Sequence, residues 1–161
     1  MSYPDPRYFG EAGEVSAVLR PAAEPPDLHL GGGGAARYLA TGESTGGQFG
    51  LYRWDMGPQS RGPATHFHRT ISESFFILAG EVRLYDGRSW TTAGAGDFLF
   101  VPEGGLHAFR NDSSEPASML ILFAPGAPRE GYFEGIRTLA ELSDDERAAF
   151  FLRHDTYWVA D

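Results

Sequence analysis

His66, His68, Glu73 and His107 are the residues of this chain best suited to do chemistry together. His66 and His68 form a His-x-His pair, and because side chains alternate along an extended strand, both imidazoles point to one face. Glu73 follows with four residues between it and His68, and His107 lies in a second block that also holds Gly96, Pro102, Gly104 and Asn111. Imidazole nitrogens with one carboxylate suit iron, manganese, nickel, copper, cobalt or zinc. A lone histidine reads more simply as a half-buried side chain satisfied by hydrogen bonds. The grouping argues otherwise, and Glu73 strengthens it. Glu73 shares a strand face with Phe75 and Ile77, where an unpaired carboxylate would cost several kcal/mol and a cation is the natural remedy.

Such a cluster needs strands to hold it. Residues 37–41 and 48–56 read as strands joined by a Gly-rich turn, with Phe49 and Leu51 on one face and Tyr52 and Trp54 on the other, apolar on both as in a sandwich core. A Pro/Gly loop at residues 57–63 delivers the chain to His66. Further strands are expected at 72–78, 81–85, 88–92, 98–101, 107–110 and 118–124, with Asp86-Gly87 as a hairpin turn and Pro102 as a stop. Strand follows strand at intervals of about ten residues with no helix between them, the rhythm of an antiparallel all-β barrel or jelly roll.

Helical signal is confined to the end, weak over residues 131–142 and clear where Ser143 and Glu146 form a capping box opening residues 147–154. The first 34 residues are rich in Pro, Gly and Ala, with strand-like pieces at 15–19 and 28–30. Gly31, Gly33 and Ala36 match a loose dinucleotide-binding pattern, but a strand follows where a helix is needed, so that reading fails. The expected organisation is an N-terminal arm or edge strand over 1–34, a barrel over 35–130 and a C-terminal helical segment over 131–161.

Composition narrows the chemistry. At 161 residues, with 42% hydrophobic and 14% aromatic residues, the chain fits one domain with its own core. With no cysteine, any metal is held by nitrogen and oxygen, and zinc-finger and iron–sulfur readings fall away. All 13 basic residues are arginine, so neither Schiff-base chemistry nor a P-loop is available. A net charge of −9 argues against nucleic acid or an anionic membrane as partner. No apolar run approaches the ~20 residues of a membrane span, and the N-terminus lacks a signal-peptide core, so the cytoplasm is the expected location. There is no Gly-x-Ser-x-Gly elbow on which a hydrolase triad could stand.

The two blocks, His66-x-His68 with Glu73 and Gly80, then Gly96, Pro102, Gly104, His107 and Asn111, resemble the two signature motifs of the cupin superfamily. One position departs: Ser60 stands where the family pattern has glycine, with Gly57 and Gly62 nearby. In looser form the resemblance runs from Arg37 to beyond Tyr132. It implies a small β-barrel with one divalent metal held by His66, His68, Glu73 and His107. That metal is most often iron, manganese or nickel, with zinc, copper or cobalt also in use, and one or two coordination positions stay open.

Candidate cavity residues are Trp54, Phe75, Ile77, Phe98, Phe100, Phe109 and Met119, of which strand parity turns some away. A lining of this kind suits a planar phenolic, flavonoid or polyketide-like molecule better than a small polar acid such as oxalate. The leading expectation is a dioxygenase-like oxidoreductase similar to the quercetinase-like single-domain cupins, with Glu73 as base. An isomerase, cyclase or decarboxylase using the metal as Lewis acid, and a non-enzymatic small-molecule binding module, stay open beside it. Arg53, Arg61 and Arg69 could bind a substrate carboxylate but read more simply as solvated. His29 and His154 fall outside both motifs; as a cation, His154 would meet the negative end of its helix. Phe150, Phe151, Tyr157 and Trp158 must bury against a partner or cover the barrel mouth, and a homodimer is expected.

Overall fold

The computed structural model describes residues 2–159. Among the described residues, eleven strands form three antiparallel groups. In chain order they are β1 (Leu28–His29), β2 (Ala35–Ala40), β3 (Gly50–Met56), β4 (His66–Phe67), β5 (Ser72–Ala79), β6 (Val82–Tyr85), β7 (Trp90–Ala93), β8 (Phe98–Val101), β9 (Ala108–Arg110), β10 (Ala117–Ala124) and β11 (Tyr157–Trp158). The largest sheet has the order β1-β2-β3-β10-β5-β8, a second β7-β6-β9, and β11 pairs with β4. Between the large sheet and β6, β7 and β9 lies one core, in which Phe75, Ile77, Met119 and Ile121 meet Val82, Leu84 and Phe109. The double-sheet β-barrel expected from strand spacing is the architecture found.

Alternation sets which residues reach that core. In β3, Tyr52, Trp54 and Met56 are buried while Leu51, Arg53 and Asp55 are half-exposed. The expectation that both faces of this strand are covered is therefore corrected: one face packs inward and the other meets solvent. The same parity decides β8. Val101 lies directly across from Glu73 and Leu99 from Phe75, so these two turn inward and Phe98 and Phe100 turn out, 62% and 56% exposed. Beside them on the outer face Phe76, directly opposite Phe98, is 41% exposed. Phe98 and Phe100 are thus not cavity residues.

Turns carry the glycines of the two blocks. Gly80 has a φ of 70° and an added Cβ would lie 2.4 Å from the Pro116 carbonyl oxygen, so only glycine closes the β5–β6 turn without strain. An added Cβ on Gly62 would come within 1.7 Å of the Phe109 carbonyl oxygen, which explains why glycine stands here, beside the departed motif position at Ser60. Asn111, buried, donates from Nδ2 to the carbonyls of Gly57 and Glu115 and accepts at Oδ1 from the Ser113 amide, tying these loops together.

Two terminal segments complete the chain. Residues 2–26 contain no helix or strand. The strand expected at 15–19 does not form: Val15, Val18 and Leu19 are exposed and no neighbouring strand offers them a ladder. Arg20 anchors the end of this arm by donating to the Tyr38 carbonyl at 2.9 Å and pairing with Asp27 at 2.8 Å. At the other end come α1 (Arg129–Gly135), a 3₁₀ turn over Ile136–Glu141, and α2 (Asp144–Arg153). Ser143 and Glu146 form the reciprocal capping box read from the sequence. Beyond α2 the chain turns at Asp155, with a φ of 51°, and returns as β11 alongside β4.

Candidate metal centre

Three strands and their ends deliver the cluster. His66 opens β4, His68 follows two positions on, and Glu73 lies on the inward face of β5 with Phe75 and Ile77. His107 precedes β9 and bridges His66 through a reciprocal backbone pair at 3.1 and 3.0 Å. One ligand-type atom from each of the four lies within 4.8 Å of all the others, and the four side chains are 1–4% exposed.

Hydrogen bonds to carbonyls orient all three rings. Nδ1 of His66 lies 2.9 Å from the Ala64 carbonyl oxygen, that of His68 2.5 Å from Asp155, and that of His107 2.9 Å from Gly105. A carbonyl only accepts, so each Nδ1 carries the proton and each Nε2 of a neutral ring presents a lone pair. Nε2 of His68 and of His107 then face Glu73 Oε2 at 3.1 and 2.8 Å. Lone pairs converging on a carboxylate repel unless a cation stands among them. With metal bonds of about 2.0–2.2 Å to each ligand, four such atoms at this spacing fit one divalent metal ion.

The electrostatics agree. Burial alone would raise the Glu73 carboxyl, but His107 and His68 beside it hold it well below the usual carboxylate range. Burial pushes His66 down to about 3, helped by its neighbour His107, so His66 is a neutral imidazole at physiological pH. His107 is raised despite its burial because Glu73 faces it.

A cavity of about 70 Å³ opens beside the cluster, and His66 and Glu73 belong to its wall. Of the seven residues expected to line it, Trp54 and Phe109 do. Phe75 packs instead between Phe109 and His107, with ring centroids at 5.6 and 6.0 Å. Ile77 and Met119 oppose one another deeper in the core. The remaining wall includes Ile121 and Phe123 from β10 and, from α1, Arg129, Tyr132 and Phe133. The helix contribution is absent from the sequence reading, although Arg129, Tyr132 and Phe133 follow the i, i+3, i+4 spacing that places side chains on one helical face. Arg53 pairs with Asp55 and exposed Arg69 lies over the Tyr157 ring at 4.4 Å, so the cation at the cavity is Arg129.

Asp155 is a second residue the sequence reading passes over. Its carbonyl takes the His68 Nδ1 hydrogen, and its carboxylate accepts from the Arg69 and Thr70 amides and the Thr70 hydroxyl at 2.7–3.1 Å. The C-terminal aromatics pack against the barrel and one another, with Trp158 still 38% exposed. Trp158 packs on His66 at 5.2 Å and on Phe151 at 5.0 Å, Tyr157 stacks on Phe67, and Phe150 stacks on Tyr132. His154 is the C-cap of α2, as its place at the helix end suggests, and partial burial with nearby Arg129 and Arg153 lowers its pKa.

Residues 52–123 match the family described as "Cupin domain", and the chain carries a domain of that superfamily. Over 115 residues it is 30% identical to quercetin 2,3-dioxygenase of Bacillus subtilis, a match covering 66% of this chain and 34% of that protein. Over 60 residues it is 33% identical to an uncharacterized protein of Aquifex aeolicus, covering 37% and 49% of the two chains. The chain therefore spans about a third to a half of these curated relatives. Among solved structures, a predicted oxalate decarboxylase from Thermotoga maritima aligns with a TM-score of 0.58 at 22% identity, over 68% of this chain and 99% of that one. The polyketide cyclase RemF from Streptomyces resistomycificus aligns at 0.51 and 21% identity, over 59% and 67%. At these identities the likeness is one of fold. No helix among the described residues is long and apolar enough to cross a membrane.

Proposed function

We propose that this is a metal-dependent cupin enzyme in which His66, His68, Glu73 and His107 hold one divalent transition metal, acting as a dioxygenase-like oxidoreductase on a small aromatic or enolic molecule. One observation carries the reading: Glu73 and His66 belong both to the ligand cluster and to the wall of an aromatic cavity, so whatever fills the cavity meets the cluster directly. The 30% identity to a quercetin dioxygenase supports the oxidative branch. Iron, manganese or nickel suits the three-nitrogen, one-oxygen donor set, with zinc, copper or cobalt as further options. Bound there, the ion supplies Lewis acidity that lowers the pKa of an enol or phenol oxygen.

The residues do the rest. Glu73, whose carboxylate reaches the cavity wall, is the base that takes the substrate's hydroxyl proton at a carboxylate oxygen. Trp54, Phe109, Phe123 and Phe133 give a planar substrate apolar faces and exclude water.

The cavity volume favours a second reading. At about 70 Å³ it is far below the ~300–1,000 Å³ typical of drug-sized ligand sites, so it takes a compact molecule or one end of a longer one. A small enolisable substrate suits an isomerase, cyclase or decarboxylase in which a metal held by His66, His68, Glu73 and His107 would supply Lewis acidity. Elemental analysis with oxygen-uptake assays on enol and phenol substrates separates the readings. Iron or nickel with substrate-dependent uptake supports the dioxygenase, zinc without uptake supports the Lewis-acid enzyme, and a protein that takes up no metal leaves only a binding module. Glu73→Gln should abolish turnover more completely than it lowers metal content; unchanged turnover removes Glu73 as base.

The division into an arm (1–34), a barrel (35–130) and a C-terminal segment (131–161) belongs to the same proposal, as does a cytoplasmic location, tested by cell fractionation. So does a homodimer. The outward Phe76, Phe98 and Phe100 form an apolar patch on the outer face of the large sheet, and burying it is favourable. Light scattering of the wild type and of Phe98→Arg tests this: a dimer that the substitution splits supports it, and a monomeric wild type ends it.

A further inference from the structure

Arg129 is a buried cation whose surroundings do not satisfy it. It is 4% exposed, yet among the described residues it makes no salt bridge, in a chain with 22 acidic side chains. Nη1 donates to the His154 carbonyl at 2.7 Å, and the guanidinium carbon lies 4.1 Å from the Tyr132 ring centroid and 5.0 Å from that of Phe123. Nε is buried with no hydrogen-bond partner. A buried guanidinium left with an unpaired donor is costly and needs a reason.

Its place in the fold supplies one. Arg129 opens α1, which Glu130 ties to β3 by accepting from the Tyr52 hydroxyl. From there it lines the same cavity as His66 and Glu73. Glu73 brings one negative charge to that cavity. With a divalent ion at the cluster and neutral imidazoles around it, the ion and Arg129 together outweigh Glu73, and the cavity carries surplus positive charge. An anion entering it would cancel that surplus and offer acceptors to the Arg129 guanidinium.

We propose, resting on the reading of the cluster as a metal site, that Arg129 anchors the carboxylate of a small organic acid, so that the substrate class is a compact carboxylate with its reactive end toward Glu73 and His66. Two features select a carboxylate over a phosphate. The guanidinium fork matches a planar carboxylate with two parallel hydrogen bonds. Among the described residues Arg129 is also the one Arg or Lys side chain in the cavity wall, whereas a phosphate has more oxygens to satisfy. The apolar rings of Trp54 and Phe133 take the carbon part of the molecule, and the volume of about 70 Å³ holds an acid of a few non-hydrogen atoms. This reverses the expectation of a cavity unsuited to small acids.

The test uses the full chain, metal-loaded and chelator-stripped, with acetate and pyruvate as probes against their neutral amides, acetamide and pyruvamide. Binding is read by saturation transfer to the probe methyl protons, and phosphate competes in a parallel titration. The expected result is a preference of at least tenfold for each acid over its amide in the metal-loaded protein, reduced but still measurable in the stripped form, with phosphate a poor competitor. Arg129→Met, which keeps much of the side chain's length among the rings, should erase that preference, and Arg129→Lys should keep only part of it. A purely packing role for Arg129 would leave the acid-to-amide ratio unchanged.

Amides binding as well as acids, phosphate binding more tightly than either acid, or an acid preference that survives Arg129→Met would each overturn the proposal. Loss of all acid binding on stripping the metal would overturn it too, since the ion would then be the anchor. Arg129-dependent acid binding in a protein that takes up no metal would leave this inference standing while the metal reading falls. If Arg129→Met does not fold, the wild-type comparison of acid with amide still decides.

Discussion

The cavity has two walls of different origin. One is built of strands: His66 and Glu73 line it, part of a cluster that His68 and His107 complete from β4, β5 and the start of β9, with the three imidazoles oriented by backbone carbonyls. The other is built by α1, which brings Arg129, Tyr132 and Phe133 across the barrel. The strand wall is held by ladders, since His66 and His107 are hydrogen-bonded to one another through the backbone. The helix wall is held by side chains, with Phe133 packed on Tyr52 and Trp54 at 5.2 and 5.0 Å. A site built this way can keep its His/Glu cluster constant while the cavity beside it changes through one short helix.

Substitutions on the two walls should therefore separate metal affinity from everything else. The largest effect is expected for His107→Ala, which removes one donor and leaves Glu73 without its nearer partner. Metal content of the purified protein should fall to background by elemental analysis; retained stoichiometric metal would remove His107 from the ligand set. On the opposite wall, Phe133→Ala should cost about 3–5 kcal/mol of stability as a buried aromatic truncation, read by chemical denaturation. Folded protein should still take up metal at wild-type stoichiometry, and if metal is lost too, the walls are not independent.

A smaller effect tests how the C-terminal return supports the strand wall. Asp155→Ala deletes the carboxylate that clamps Arg69 and Thr70 while leaving the carbonyl that orients His68. Metal affinity should weaken roughly tenfold, the lower end of what loss of a supporting partner costs, in a competition titration with a chelator. The smallest effect belongs to Ser143→Ala at the α2 cap, which lines neither wall, at about 1 kcal/mol. Metal binding should not change; a change would mean that α2 transmits strain to the site through His154 and Arg129.

The strand wall was legible in the chain because its signals are local. A His-x-His pair, a carboxylate at fixed spacing and glycines at forced turns each express a rule that operates over a few residues. The same locality explains Phe98 and Phe100. Their strand was recognised, but which face of a four-residue apolar strand looks inward depends on its register with β5, and both faces of β8 carry apolar side chains. The predicted strand at 15–19 fails for a related reason: Val15, Val18 and Leu19 have strand-forming character, and a strand also needs a neighbour.

By itself, then, the sequence determined the all-β architecture, the capping box at Ser143 and the identity of the four clustered side chains, because alternation, turn chemistry and capping are short-range physics. Only the tertiary structure decided what faces that cluster. Arg129, Phe133 and Asp155 lie 56, 60 and 82 residues from Glu73 in the chain, and they reach the site because α1 packs on β3 and β11 pairs with β4. No periodicity spans such separations; contacts of that range are set by which apolar faces remain to be buried once the barrel has closed.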